Sequence, residues 1–76
     1  MSEVQVCFSH AGKEHVCNAK TDEKLGDVFK KHWPHYDPNA QYQLQFANPV
    51  PLNLDGTLEE NTVTDDYNLI FVEKKA

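Results

Sequence analysis

Cys7, His10, His15 and Cys17 lie close together and offer two thiols and two imidazoles, the donor set of a structural zinc site. The spacing argues against one, because no Cys pair lies two to four residues apart as in a finger. Cys7 also alternates with Val6 and Phe8, which turns it away from any core those two residues enter. The four residues therefore read as surface histidines and a small buried thiol at Cys17, and neither metal nor cofactor is expected. A nucleophilic cysteine needs a positive neighbour and a concave site. A chain this short has little concavity to give, so no catalytic residue is assigned and the expectation is a non-enzyme.

His32-Trp33-Pro34-His35-Tyr36 is the other dense grouping. Trp33 there either closes one end of the core or joins Tyr36 in an exposed aromatic patch of the kind that anchors partners.

Length sets the frame for these residues. The 76 residues make one domain, spanning 1–76, and a chain of that size buries only about 60% of its unfolded surface. Nearly every apolar residue is then needed inside. Twelve acids against seven lysines give a net charge of -5, and arginine is absent. That balance argues against nucleic acid, which is held by clustered Lys and Arg. Asp55, Glu59, Glu60, Asp65 and Asp66 fall near one another and form the one charge cluster of note. Met1-Ser2-Glu3 has neither the basic start nor the apolar stretch of a secretory signal, and no apolar run approaches membrane-spanning length. A cytoplasmic monomer with both thiols free is the expectation.

The elements that must position these residues follow from periodicity. Val4, Val6 and Phe8 alternate with polar neighbours, Gly12 permits a turn, and His15–Lys20 returns, so the first twenty residues read as a β-hairpin. Thr21-Asp22 resembles a helix cap, and Leu25, Val28, Phe29 and Trp33 recur on one helical face from about Asp22 to His32. Pro34 ends the helix, and Gly26 weakens it by up to about 1 kcal/mol relative to Ala. Gln41–Ala47 alternates Tyr42, Leu44 and Phe46 with glutamines, the clearest strand in the chain. The proline-rich stretch after it is loop with at most a short edge strand, Thr57 opens a single helical turn, and Asn68–Glu73 is the last strand. The expected core is Val4, Val6, Cys17, Leu25, Val28, Phe29, Leu44, Phe46, Leu58, Val63, Leu69 and Phe71.

This order resembles the β-grasp, and the residues resemble ubiquitin-like proteins in particular. Asp55-Gly56-Thr57-Leu58 is similar to the family's aspartate-glycine turn and threonine-leucine pair. Leu44-Gln45-Phe46-Ala47 matches its Leu-Ile-Phe-Ala strand at all but one place, and Gly12-Lys13 matches its hairpin tip. Leu58, Val63, Leu69 and Phe71 follow in gapless register. The resemblance implies an α+β fold, a mixed four- to five-stranded sheet packed on one helix, with the first and last strands adjacent and parallel. It also implies protein partners. A two-iron ferredoxin, another β-grasp class, is excluded because its cluster takes four cysteines.

Three departures shape the functional expectation. Gln45 replaces the isoleucine at the centre of the family's recognition patch, and an uncharged amide cannot anchor an apolar hot spot. The lysines most used for ubiquitin chains are not kept, with Pro49 in the loop after the Gln45 strand and Thr64 just after Val63. The tail closes on Lys74, Lys75 and Ala76, just where the two glycines of a conjugated relative would begin; an activating enzyme's narrow channel admits no side chain there. The expectation is a ubiquitin-like protein-interaction module, with a covalent modifier or a β-grasp sulfur carrier as alternatives that need a glycine tail. For those, activating, conjugating or deconjugating enzymes would be partners and Lys75-Ala76 the tail positions. The expected binding face is polar and acidic: Gln45, Glu59, Glu60, Asp65 and Asp66, with Tyr36 and Val72 beside them.

Overall fold

A computed structural model describes residues 3–34, 36–47 and 50–75. The hairpin joins β1 (Glu3–His10) to β2 (Lys13–Lys20) through a two-residue loop. Ala11 and Gly12 both take positive φ, at 51° and 81°, the type I′ geometry whose twist matches that of the flanking strands. The helix α1 spans Leu25–His32, β3 spans Gln41–Gln45 and β4 spans Tyr67–Lys75.

The four strands form one mixed sheet in the order β2-β1-β4-β3. β1 and β4 run adjacent and parallel, as expected, while the two outer pairs are antiparallel. The molecule is an α+β domain with one helix against one face of a four-stranded sheet, an arrangement compatible with a β-grasp. The short edge strand is reduced to a single bridge between Gln45 and Pro51. Pro49, His35 and Ala76 lie outside the described residues.

The helix starts three residues later than its cap-like sequence suggests. Lys24 occupies the cap position with extended backbone, and no side chain caps the first turn. Instead the Leu25 and Gly26 N–H groups donate to the carbonyls of Gly56 and Leu54, each at 2.9 Å. Thr21 is buried in the preceding turn, where its carbonyl accepts from the Glu59 N–H. A loop thirty residues away thus satisfies the helix end that sequence assigns to a neighbour. At the other end the Trp33 N–H donates to the Phe29 carbonyl at 2.8 Å, and Pro34 follows.

The segment 57–63 is the expected single turn, built in more detail than its sequence discloses. Thr57 and Glu60 cap each other reciprocally: the Glu60 N–H donates to Thr57 Oγ1 and the Thr57 N–H to Glu60 Oε1. Its exit is a Schellman closure, with the Val63 N–H donating to the Leu58 carbonyl at 2.8 Å and the Thr62 N–H to that of Glu59. Leu58 and Val63, both fully buried, form the apolar contact that goes with it.

The core lies between the helix and the inner face of the sheet. Val4, Val6 and Phe8 from β1, Leu25, Val28, Phe29 and Trp33 from the helix end of the chain, and Leu44 from β3 meet Leu58 and Val63 there. Phe8 and Phe29 meet edge to face at 5.3 Å, and Trp33 stacks on Phe29 at 5.5 Å, so Trp33 closes the core.

Two core expectations are corrected in β4. Ile70 and Val72 point inward with Asn68, while Leu69 is only half-buried and Phe71 is exposed. The run from Val63 to the inward positions is therefore one residue longer than the gapless resemblance implies. Asn68 is stable inside because it is fully used: Nδ2 donates to the carbonyls of Gln5 and Asp65, and Oδ1 accepts from the Asp65 N–H. Phe46 and Cys17 are half-buried against the core instead of within it, Phe46 because β3 ends at Gln45.

Candidate functional site

Strand register sorts every side chain of the sheet onto one of two faces. Opposite the helix, β2 presents Glu14, Val16 and Asn18, β1 presents Gln5, Cys7 and Ser9, β4 presents Tyr67, Leu69 and Phe71, and β3 presents its glutamines. Val16, Cys7 and Leu69 stand in one row across three strands, and Tyr67, Leu69 and Phe71 form a column along β4. The result is a cross of apolar side chains centred on Leu69.

Its arms are open to water: Val16 is 53% exposed, Tyr67 52% and Phe71 37%. Cys7 is completely buried in the row between Val16 and Leu69. Hydrogen bonding to the Cys7 side chain raises the Tyr67 pKa above its ordinary value, with smaller contributions from burial and from the charges of Cys7 and Glu14. Amides rim the cross, with exposed Glu14 beside Val16 and exposed Glu73 beyond Phe71. Gln5 and Asn18 lie on one flank, and Gln43 and Gln45 on the other, where Gln43 Nε2 donates to Gln45 Oε1 at 3.3 Å.

The expected binding residues do not gather on one surface. Gln45 is half-buried on the open face, directly opposite Phe71. Asp66 precedes Phe71 by five residues, which separates it from Gln45 by roughly 16 Å at strand rise. Asp65, Asp66 and Glu59 are exposed, whereas the Glu60 carboxylate is held by the Thr57 N–H. Val72 is 6% exposed and faces the core, so it presents almost no surface to a partner. Tyr36 is half-buried on the helix side, stacked on Tyr42 at 5.4 Å and edge-on to Phe29. Lys75 is exposed at the end of β4, and Ala76 lies outside the described residues.

Sequence reasoning missed Tyr67, Phe71 and Val16. Leu69-Ile70-Phe71-Val72 is apolar in both phases, so alternation alone does not choose its inner face. The clue was Asn68-Leu69, where a core amide begins the inward set.

The hairpin's cysteines and histidines do not converge. Cys7 lies on the open face, while His10, His15 and Cys17 lie on the inner one. Among the described residues no group of three or more His, Cys, Asp or Glu side chains is placed to hold a metal ion. The histidines are not scattered on the surface either. His10 Nδ1 is hydrogen-bonded with the Val72 carbonyl at 2.9 Å, and the His15 ring meets Trp33 edge-on at 5.0 Å. Burial, with Glu23 and Cys7 nearby, pushes the Cys17 thiol up to about 11, so it is protonated at neutral pH and a weak nucleophile. Among the described residues no helix is long and apolar enough to cross a membrane.

Compared with known proteins, the chain matches no protein-family model and no curated protein.

Proposed function

We propose that this chain is a non-enzymatic, ubiquitin-like protein-interaction module that binds partners through the open face of its sheet. The observation that supports it is the exposed cross of Val16, Tyr67, Leu69 and Phe71 on a face the helix does not cover. Aromatic and aliphatic side chains at the centre with polar groups at the rim are the usual make-up of an interface. The element order, the parallel first and last strands and the Gly12-Lys13, Leu44–Ala47 and Asp55–Leu58 resemblances favour the ubiquitin-like reading over an unrelated small domain.

Gln45 then has a specific role. A partner shaped for isoleucine at that position meets an amide whose hydrogen bonds it leaves unmade, a penalty of about 1–3 kcal/mol. Phe71, one strand over, supplies the apolar anchor that Gln45 lacks. The module therefore selects partners with an apolar group displaced toward β4 and a hydrogen-bonding group facing Gln45.

The test is affinity capture from the native source with the wild-type chain, a Tyr67→Ser/Phe71→Ser variant and a variant neutralised at Glu59, Glu60, Asp65 and Asp66. Two-dimensional NMR verifies that each is folded. Partners held by the wild type and the neutralised variant, but lost from the serine variant, are the expected result. Identical retention by the serine variant would exclude the open face.

A further inference from the structure

We infer that the end of the molecule around Tyr42 is a second binding site, built to take an extended acidic peptide segment. The chain carries five more acids than lysines, yet five of its seven lysines border two cavities that share Tyr42 as a wall. The larger, about 540 Å³, lies between α1, the 54–55 loop and the start of β3, and is flanked by Lys24, Lys30 and Lys75. The smaller, about 240 Å³, lies between the hairpin tip, Trp33 and the end of β4, and is flanked by Lys13 and Lys74. The carboxylates facing them are fewer. Asp27 and Asp55 border the larger cavity, no carboxylate among the described residues borders the smaller, and Asp37 reaches Lys74 only at 3.9 Å. An acidic protein has thus lined two adjoining cavities with most of its lysines, which attract negative charge.

The spread of these lysines selects the ligand. A compact anion such as phosphate wants donors converging on one point, and the chain has no arginine to supply a bidentate clamp. Lys24 and Lys30 are instead six residues apart, about 9 Å along the helix direction. Carboxylates two residues apart point to the same side of an extended peptide about 7 Å from each other, a separation two long lysine side chains can bridge. Lysine is a flexible point charge, so the match tolerates small differences of register. Asp27 stands between the two lysines, three residues from each, and the cavity beside them has an aromatic floor, with Tyr36 and Tyr42 stacked at 5.4 Å and Phe29 edge-on to both. That floor suits one ring or aliphatic side chain two residues beyond the acids, on the same side of an extended peptide. The site does not depend on the open sheet face, which Phe71 marks on the other side of the sheet.

The experiment titrates the isotopically labelled full chain with a short blocked peptide in which Glu and Asp stand two residues apart and a single Phe two residues beyond them. Its Gln/Asn analogue and inorganic tripolyphosphate serve as comparisons. The expected result is a set of NMR shift changes at Lys24, Lys30, Tyr36 and Tyr42 that spares Tyr67 and Phe71. Affinity should fall about tenfold or more in Lys24→Gln/Lys30→Gln, fall again from about 50 mM to about 150 mM salt, and vanish for the amide analogue. The proposal is overturned if the peptide does not bind, or binds the double variant unchanged. It is also overturned if tripolyphosphate displaces the peptide at lower concentration, which makes the site one for small anions only. Concentration-dependent shifts joining Tyr42 to Asp55–Asp66 without peptide would assign the site to a second copy of this chain and overturn it too.

Discussion

Phe71 stands directly opposite Gln45 across β3 and β4, on the side of the sheet away from the helix, while the next pair, Leu44 and Val72, points into the core. One residue of phase separates an exposed ring from a buried aliphatic chain. Ile70→Ala should therefore cost about 2–4 kcal/mol, because it opens a cavity at a fully buried site. Phe71→Ser should cost less, about 1–2 kcal/mol, since 37% of the residue is already in water. Urea unfolding of the two variants checks the phase. A larger loss at Phe71 than at Ile70 would reverse it.

Gly26→Ala should destabilise the fold although alanine is the better helix former. Propensity favours alanine by about 1 kcal/mol. Against it, a Cβ at this position would lie 2.9 Å from the Leu54 carbonyl oxygen, which also accepts the Gly26 N–H. Backbone on both sides leaves little freedom to yield, so the contact wins and a net loss of about 1 kcal/mol or more is expected. Thermal unfolding, with the Gly26 amide followed by hydrogen exchange, would show it. A stabilised Gly26→Ala would mean that the 54–56 loop gives way.

Thr62→Gly should do the reverse. Thr62 closes the 57–63 turn at φ 60°, a left-handed conformation that a β-branched residue adopts only under strain. Glycine relieves that strain but enlarges the unfolded ensemble and loses the contact of Thr62 Oγ1 with the Asn61 carbonyl. A net gain of about 0.5 kcal/mol is expected from urea midpoints. A loss would show that the hydroxyl contact outweighs the strain.

The parts of this fold that sequence discloses are those with one clean period. Val4, Val6 and Phe8, and Tyr42 and Leu44, each alternate against polar partners, so their strands and inner faces follow directly. Leu25, Val28 and Phe29 do the same for the helix, and Pro34 marks its end. The helix start is obscured because its cap is not a neighbouring side chain but the carbonyls of Leu54 and Gly56. The face of β4 is obscured because four consecutive apolar residues satisfy either phase. The candidate face suffers from the same ambiguity: Gln45 is found from sequence, but its partner Phe71 is assigned inward, and Glu60, exposed as its charge suggests, is also half of a cap.

Cys17 gives the fold a dependence on alkaline pH. Its thiol is held up to about 11, mainly by burial and then by Glu23 and Cys7, against about 8.5 in an unfolded chain. The folded state keeps the proton where the unfolded state loses it, so stability is full below about pH 8.5 and falls as pH rises to about 11. The thiol is half exposed, and solvent screening reduces the effect to about 1 kcal/mol. Tyr67, also raised, adds a slope of the same sign. Urea midpoints across that range should decline less steeply in Cys17→Ser than in the wild type. Parallel slopes in the two proteins would remove Cys17 as a cause.

Binding at the open face should depend only weakly on salt. Apolar contacts of Val16, Tyr67, Leu69 and Phe71 carry it, while Glu14 and Glu73 on the same face and Asp66 beside Tyr67 are exposed, solvent-screened charges. With a partner obtained by capture, affinity should change no more than about threefold between about 50 mM and about 150 mM salt. Phe71→Ser should cost about 2 kcal/mol, near thirtyfold, and most of it should appear as faster dissociation, because truncating a buried anchor leaves long-range steering intact. Neutralising Asp65 and Asp66 should leave both rates within about twofold. Surface plasmon resonance across the salt series separates the two surfaces. Steep salt dependence with an intact off-rate in Phe71→Ser would move recognition from the open face to the acidic segment.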